Sequence, residues 1–142
     1  MSWKDTYKVW QERTDLEPDL KQELAAMSDD KEIEDAFYGP LSFGTAGMRG
    51  LMGPGINRMN VYTVRQATEG LATLMDSLGD DIKKRGVAIG YDSRHNSRKF
   101  AHDAARVLGA HGIKVYIYDN LRPTPELSFA VRHMGTYAGI MI

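Results

Sequence analysis

From residue 87 onward, short apolar runs alternate with single amphipathic helices, and that alternation restricts the possible folds more than any other feature of the chain. Val87-Ala88-Ile89-Gly90-Tyr91 reads as a short, continuously apolar strand. The next segment is a helix capped near Asn96 or Ser97, with Phe100, Ala104, Val107 and Leu108 on one side and a stop at Gly112. Ile113 to Tyr118 gives a second strand. Thr124-Pro125-Glu126 opens another helix, with a cap, a proline at the first helical position and an acid in the first turn; Gly135 closes it. Tyr137 to Ile142 is a third strand. Strands joined by single helices argue for parallel neighbours, since each crossover returns the chain to the same end of the sheet. The predicted class is α/β: a three-layer domain with a mixed, mostly parallel sheet covered by helices, plus an N-terminal helical extension. Three points then share the carboxyl rim, where open α/β sheets bind ligands: the turn from Asp92 to Asn96, the turn from Asp119 to Pro123, and whatever follows Ile142.

Upstream, the pattern changes twice. Trp3, Tyr7 and Trp10 recur at helical spacing, and Leu20, Leu24 and Met27 make a second stripe after Glu17-Pro18, so residues 1–40 read as short helices. From Phe43 to Asn60 periodicity disappears and glycines appear at 44, 47, 50, 53 and 55, as in a long ordered loop or hairpin. A strong helix follows, capped by Asn60 and ended by Gly79, with Val64, Ala67, Thr68, Leu71, Leu74, Met75 and Leu78 on an apolar face, and then a polar turn leads to the first strand.

Composition narrows the class. Of 142 residues 42% are hydrophobic and 26% charged, as expected of a soluble globular domain. No cysteine is present, which excludes disulfides, thiolate metal sites and a cysteine nucleophile. The N-terminus lacks the basic-then-apolar order of a signal peptide, and no apolar run approaches the roughly 20 residues that span a bilayer, so a cytoplasmic, non-membrane protein is expected. The formal net charge of -1 conceals an asymmetry: residues 1–40 carry five basic and eleven acidic side chains, the remainder thirteen and eight. A basic body suits an anionic ligand. Nucleic acid is disfavoured, because no Lys/Arg-rich stripe with interleaved aromatics occurs.

Three segments could carry chemistry. In Phe43-Gly44-Thr45-Ala46-Gly47-Met48-Arg49-Gly50, the glycines let backbone N–H groups approach an anion, Thr45 adds a hydroxyl and Arg49 a forked cation matched to phosphate oxygens. The alternative is a structural glycine turn with a surface arginine. The segment is neither a dinucleotide fingerprint nor a Walker loop. In Asp92-Ser93-Arg94-His95-Asn96-Ser97, Arg94 and His95 could contact phosphate or position a proton transfer while Asp92 fixes the loop; the alternative is a capping loop before a helix. Neighbours on one loop cannot form a Ser/His/Asp relay among themselves. Leu121-Arg122-Pro123-Thr124-Pro125-Glu126-Leu127 is better read as helix-start chemistry than as an anion site. The four histidines include no pair three or four residues apart, so no metal site is expected, and His102, His111 and His133 read as solvated helix-face or helix-end residues.

Taken together and in this order, Phe43 to Gly50, Asn57-Arg58-Met59-Asn60, Gly90-Tyr91-Asp92-Ser93-Arg94 and Arg122-Pro123-Thr124-Pro125-Glu126-Leu127 resemble the N-terminal domain of the α-D-phosphohexomutases, across nearly the whole chain. Thr45-Ala46 is similar to the phosphoglucomutase and phosphopentomutase branch. The resemblance implies that residues 41–142 are domain I of such an enzyme, incomplete at its C-terminal end, after an extension of residues 1–40. It implies phosphoserine chemistry on a Thr-Ala-Ser-His-Asn-Pro loop expected after the strand ending at Ile142, and Mg2+ bound in later domains. A sugar bisphosphate would serve as intermediate and activator. Arg49 would act beside the phosphoserine as the catalytic residue, with Gly44, Thr45, Arg94 and His95 binding phosphate or substrate. The isolated chain would then be inactive, without metal or cofactor, and prone to self-association, while the parent enzyme acts on a sugar phosphate. Rival readings are a non-catalytic anion-binding α/β module, a structural unit that uses its acidic helices for contact, and phosphomannomutase activity in the parent.

Overall fold

A computed structural model describes all residues from Met1 to Ile142, and the chain divides into two compact units, Met1–Thr63 and Val64–Ile142. The division falls within the first turn of a helix.

The first unit begins with three short helices: α1 (Trp3–Glu12), α2 (Pro18–Ala26) and α3 (Asp30–Phe37). Each start has a local cause. Ser2 and Asp5 form a reciprocal capping box on α1, Pro18 opens α2, and the Asp29 side chain accepts the Lys31 N–H at the start of α3. Trp10, Leu16, Leu24, Ile33, Ala36 and Phe37 form one buried cluster, in which Trp10 and Tyr7 meet Phe37 edge-on at 5.6 and 5.3 Å. The glycine-rich segment forms an antiparallel ribbon, β1 (Phe43–Gly44) with β2 (Gly47–Met48), followed by irregular chain.

Composition groups that segment with the basic body, but it packs with the helices as far as Thr63. Hydrogen bonds hold it there: Asn57 N–H donates to the Ala36 carbonyl at 3.0 Å, Asn57 Nδ2 to the Asp35 carbonyl at 2.8 Å, and the nearly buried Arg58 pairs with the Asp35 carboxylate at 2.8 Å. Such pairings join residues more than twenty positions apart and leave no periodic trace in the sequence.

In the second unit, the rest of α4 (Val61–Leu78) leads through α5 (Asp80–Arg85) into a three-stranded sheet: β3 (Val87–Gly90), β4 (Val115–Ile117) and β5 (Ala138–Met141). The helices α6 (Ser97–Ala110) and α7 (Thr124–Met134) are the crossovers. Strand order is β4-β3-β5 and both pairings are parallel, as the alternation required. The mixture of strand directions is spread over two sheets, the only antiparallel pair being the separate β1–β2 ribbon.

The period of two along the strands makes the layers. Val87 and Ile89 pack into the core with Ala72 and Met75 of α4 and Ala101, Ala104 and Leu108 of α6, joined by Val115, Ile117, Ala138 and Ile140. Among the alternate positions Ala88, Gly90 and Gly139 are small, and the two glycines lie against α7. A Cβ on Gly139 would come within 2.6 Å of Val131 Cγ2, so the absence of a side chain there lets that helix approach closely, while one on Gly90 would press on Met141 Sδ at 3.2 Å.

Two local expectations are corrected. The polar turn after Gly79 is the helix α5, which the sequence pattern hid because Ile82 is its only large apolar residue; it is stabilised by its charge order, Asp80 and Asp81 in the first turn and Lys83, Lys84 and Arg85 in the last. Along α4 the buried face runs through Val61, Val64, Thr68, Ala72 and Met75, with Thr63 also buried near the start, whereas Leu74 and Leu78 remain about half exposed, at 49% and 48%. The apolar stripe is therefore narrower than the sequence reading and centred one position away. No helix is long and apolar enough to cross a membrane.

Candidate functional site

The carboxyl rim of the sheet is built by backbone hydrogen bonds that extend beyond the strands. Tyr118 N–H donates to the Ile89 carbonyl and Arg122 N–H to the Tyr91 carbonyl, both at 3.1 Å. Ile142 N–H donates to Gly90 at 3.1 Å, and Asp92 N–H to Ile142 at 3.0 Å. The three expected rim points thus lie together at one end of the sheet.

Asp92 organises its loop. Its Oδ1 accepts from the Arg94 backbone N–H at 3.0 Å and from Ser97 Oγ at 3.1 Å, and Arg94 Nε reaches both carboxylate oxygens at 3.1 and 2.9 Å. The Arg94 side chain, then its backbone N–H, holds the Asp92 carboxyl below the usual carboxylate range. Asp92 therefore fixes the loop as the sequence suggested, and in addition orients a guanidinium that is 74% exposed and whose two terminal nitrogens have no hydrogen-bond partner. That geometry suits bidentate capture of an oxyanion. Arg94 lines an open cavity of about 670 Å³, together with Arg98, Lys99, His102 and Arg106 of α6 and Leu121 of the second rim turn. His95 is exposed and lies outside the cavity lining. His102, read as a solvated helix residue, lines the cavity, half-buried with its ring 6.4 Å from that of Tyr91. Its place follows from the pitch of α6, four residues beyond Arg98, a relation visible in the sequence once the helix start is fixed.

In the first unit, Gly44, Thr45 and Arg49 are all exposed on or beside the β1–β2 ribbon, and Arg49 has no ion-pair partner. Gly47 takes φ +96 at the turn of the ribbon, a conformation that favours glycine. The candidate residues are thus divided between the units, Gly44, Thr45 and Arg49 in the first, Arg94 and His95 in the second. Arg122 pairs with Glu126 at 3.3 Å and Asp119 at 3.7 Å, in keeping with the structural reading of that turn.

His111, expected at a solvated helix end, is instead clasped between two carboxylates of α4. Its Nε2 lies 2.9 Å from Glu69, its Nδ1 meets Asp76, and Lys83 of α5 holds the other Asp76 oxygen at 2.9 Å. Hydrogen bonds that the imidazolium donates to Asp76 first, then to Glu69, raise the His111 pKa above the ordinary imidazole value. A raised folded pKa gives stability that is fully present below the unfolded value of about 6.5 and lost as pH rises through the folded value. His111→Ala is expected to flatten this decline of thermal midpoint above about pH 6.5, which thermal melts across a pH series would measure.

The alpha/beta/alpha domain I of phosphoglucomutase/phosphomannomutase matches residues 40–142, and the chain belongs to that family. It is 36% identical over 137 residues to human phosphopentomutase, covering 92% of this chain and 22% of that protein. It is 41% identical over 134 residues to a phosphoglucomutase of Staphylococcus saprophyticus, covering 94% and 23%. Over 135 residues it is 40% identical to a phosphoglucomutase of Staphylococcus aureus, covering 95% and 24%. The chain thus spans less than a quarter of the length of these curated relatives. No solved structure matches the chain.

Proposed function

We propose that this chain is the N-terminal part of a phosphosugar mutase that moves phosphate between C1 and C6 of a hexose phosphate, or C1 and C5 of a pentose phosphate. The observation that carries this reading is the domain I match together with relatives named phosphoglucomutase and phosphopentomutase. A phosphoserine would give its phosphoryl group to the free sugar hydroxyl. The resulting bisphosphate would turn over and return its other phosphoryl group to the serine. The resemblance puts the serine loop directly after Ile142, whose backbone bonds to Gly90 and Asp92 support its starting on the rim beside Arg94.

In this reading, Arg49 is the cation that neutralises the phosphoryl oxygens as charge shifts in the transition state, and Gly44 and Thr45 supply N–H and hydroxyl donors around it. Arg94, held by Asp92, contacts substrate phosphate, with His95 at the margin of that wall. No group of His, Asp or Glu side chains in the chain is arranged to hold a metal ion, so the Mg2+ that the resemblance implies is assigned to ligands in the rest of the protein. The 142-residue chain alone is accordingly expected to be inactive, and the whole protein cytoplasmic. The reading is tested by incubating the whole protein with glucose 1,6-bisphosphate and mapping the modified peptide by mass spectrometry. Phosphate on a serine in the segment following Ile142 supports it, and an unmodified protein that still interconverts the sugars rejects it.

The β5 strand motivates a second expectation. Its residues are half-buried or exposed, unlike the fully buried Val87 to Gly90, and it is an edge of the sheet. An apolar edge strand favours pairing with another copy. The isolated chain is expected to self-associate, and amides of Gly139 to Ile142 to exchange faster than those of Val87 to Gly90. Sedimentation showing only monomer over a wide concentration range would contradict the first.

A further inference from the structure

The charge on α6 conflicts with the rest of the fold. Three of its residues, Arg98, His102 and Arg106, recur every fourth position and line the cavity, with Lys99 beside them. They extend over about 12 Å of helix. Cations in the first turn, here Arg98 and Lys99, oppose the helix dipole. The helices α1, α2, α3, α5 and α7 each carry an acid in the first turn, while α4 and α6 have none. The only acid on α6 is Asp103, whose side chain is 3% exposed and taken by Arg65 at 2.8 Å and Arg106 at 3.5 Å. The one carboxylate in the cavity wall, Asp92, is engaged by Arg94 and Ser97. Arg98 has no carboxylate partner within the fold and Arg106 shares Asp103 with Arg65, and such local conflict is characteristic of functional surfaces.

The chemistry of the wall defines what would relieve it. Guanidinium forks match phosphate oxygens in pairs, and Leu121 is the only large apolar residue lining the space, which disfavours an acyl or aromatic ligand. An array of about 12 Å is longer than one phosphate group occupies, so its two ends can engage separate groups. We propose that the cavity beside α6 binds an anion with at least two phosphoryl groups, held by Arg98, His102 and Arg106 along the helix and by Arg94 from the rim loop. Only Arg94 is shared with the mutase reading, so loss of this site and loss of that reading are separable.

The test uses inorganic pyrophosphate as probe, with orthophosphate for comparison, titrated at constant ionic strength into the 142-residue chain and followed by amide NMR. Saturable shifts centred on residues 94–106 are expected, with pyrophosphate at least about tenfold tighter than orthophosphate. Combining Arg98→Ala with Arg106→Ala, both at exposed positions, should weaken pyrophosphate about tenfold or more, and Arg132→Ala on α7 should leave it unchanged. Should the double variant misfold, Arg98→Gln alone should reproduce a measurable loss with the fold intact. Three results would each overturn the proposal: no saturation up to about 10 mM, equal affinity for the two anions, or unchanged affinity in the Arg98 and Arg106 variants.

Discussion

Replacing Arg49 with alanine in the whole protein is expected to lower sugar-phosphate turnover about tenfold to a hundredfold, with little change in the thermal midpoint. The size follows from a charge-assisted contact to phosphate, worth about 1.5–3 kcal/mol, at about 1.4 kcal/mol per tenfold in rate. The small stability effect follows from its surroundings, since Arg49 is exposed and has no ion-pair partner. An interaction made chiefly in the transition state lowers kcat and kcat/KM together, whereas a contact equally strong to bound substrate raises KM alone. Steady-state kinetics therefore distinguish a catalytic role from simple substrate holding, and wild-type turnover in the variant would return Arg49 to the status of a surface residue.

The second large effect is on folding. Gly86→Ala is expected to destabilise the chain by about 2–5 kcal/mol, from left-handed backbone strain together with overpacking. Gly86 has φ +77, and a Cβ there would lie 2.3 Å from the Lys114 carbonyl oxygen, which is backbone and cannot swing aside. The same oxygen accepts the Val87 N–H at 2.9 Å, and the Gly86 carbonyl accepts the Tyr137 N–H at 2.8 Å, so any shift disturbs the start of all three strands. The thermal midpoint should fall by roughly 10 °C or more. Gly70→Ala is the control: Gly70 lies within α4, a methyl group there would meet nothing within 4 Å, and the change should be neutral or stabilising by up to about 1 kcal/mol. Equal melts for Gly86→Ala and the parent chain would show that the junction can relax.

The parallel sheet was legible because its signals are local. Val87 to Tyr91 is apolar throughout, Gly112 and Gly135 mark helix ends with φ +71 and +65, and single crossovers leave few topologies open. What escaped the sequence depends on distant partners. The clasp on His111 needs Glu69 and Asp76, more than thirty positions away, brought opposite it by the packing of two helices. The attachment of Asn57 and Arg58 to Asp35 and Ala36 likewise has no periodicity. The same contrast holds at the site. Arg94 could be proposed from its place after a parallel strand, and the role of Asp92 in fixing the loop is local enough to read from residues 92–97; His102 and Arg106 enter only once the start of α6 fixes which of its residues share a face with Arg98.

The central claim, that this chain opens a phosphosugar mutase, is tested most directly by assaying the purified whole protein for conversion of glucose 1-phosphate to glucose 6-phosphate and of ribose 1-phosphate to ribose 5-phosphate, beside the 142-residue chain alone. Turnover of at least one sugar by the whole protein and none by the chain is the expected result. A folded whole protein, supplied with Mg2+ and a sugar bisphosphate, that converts neither would contradict the account, as would turnover by the chain by itself.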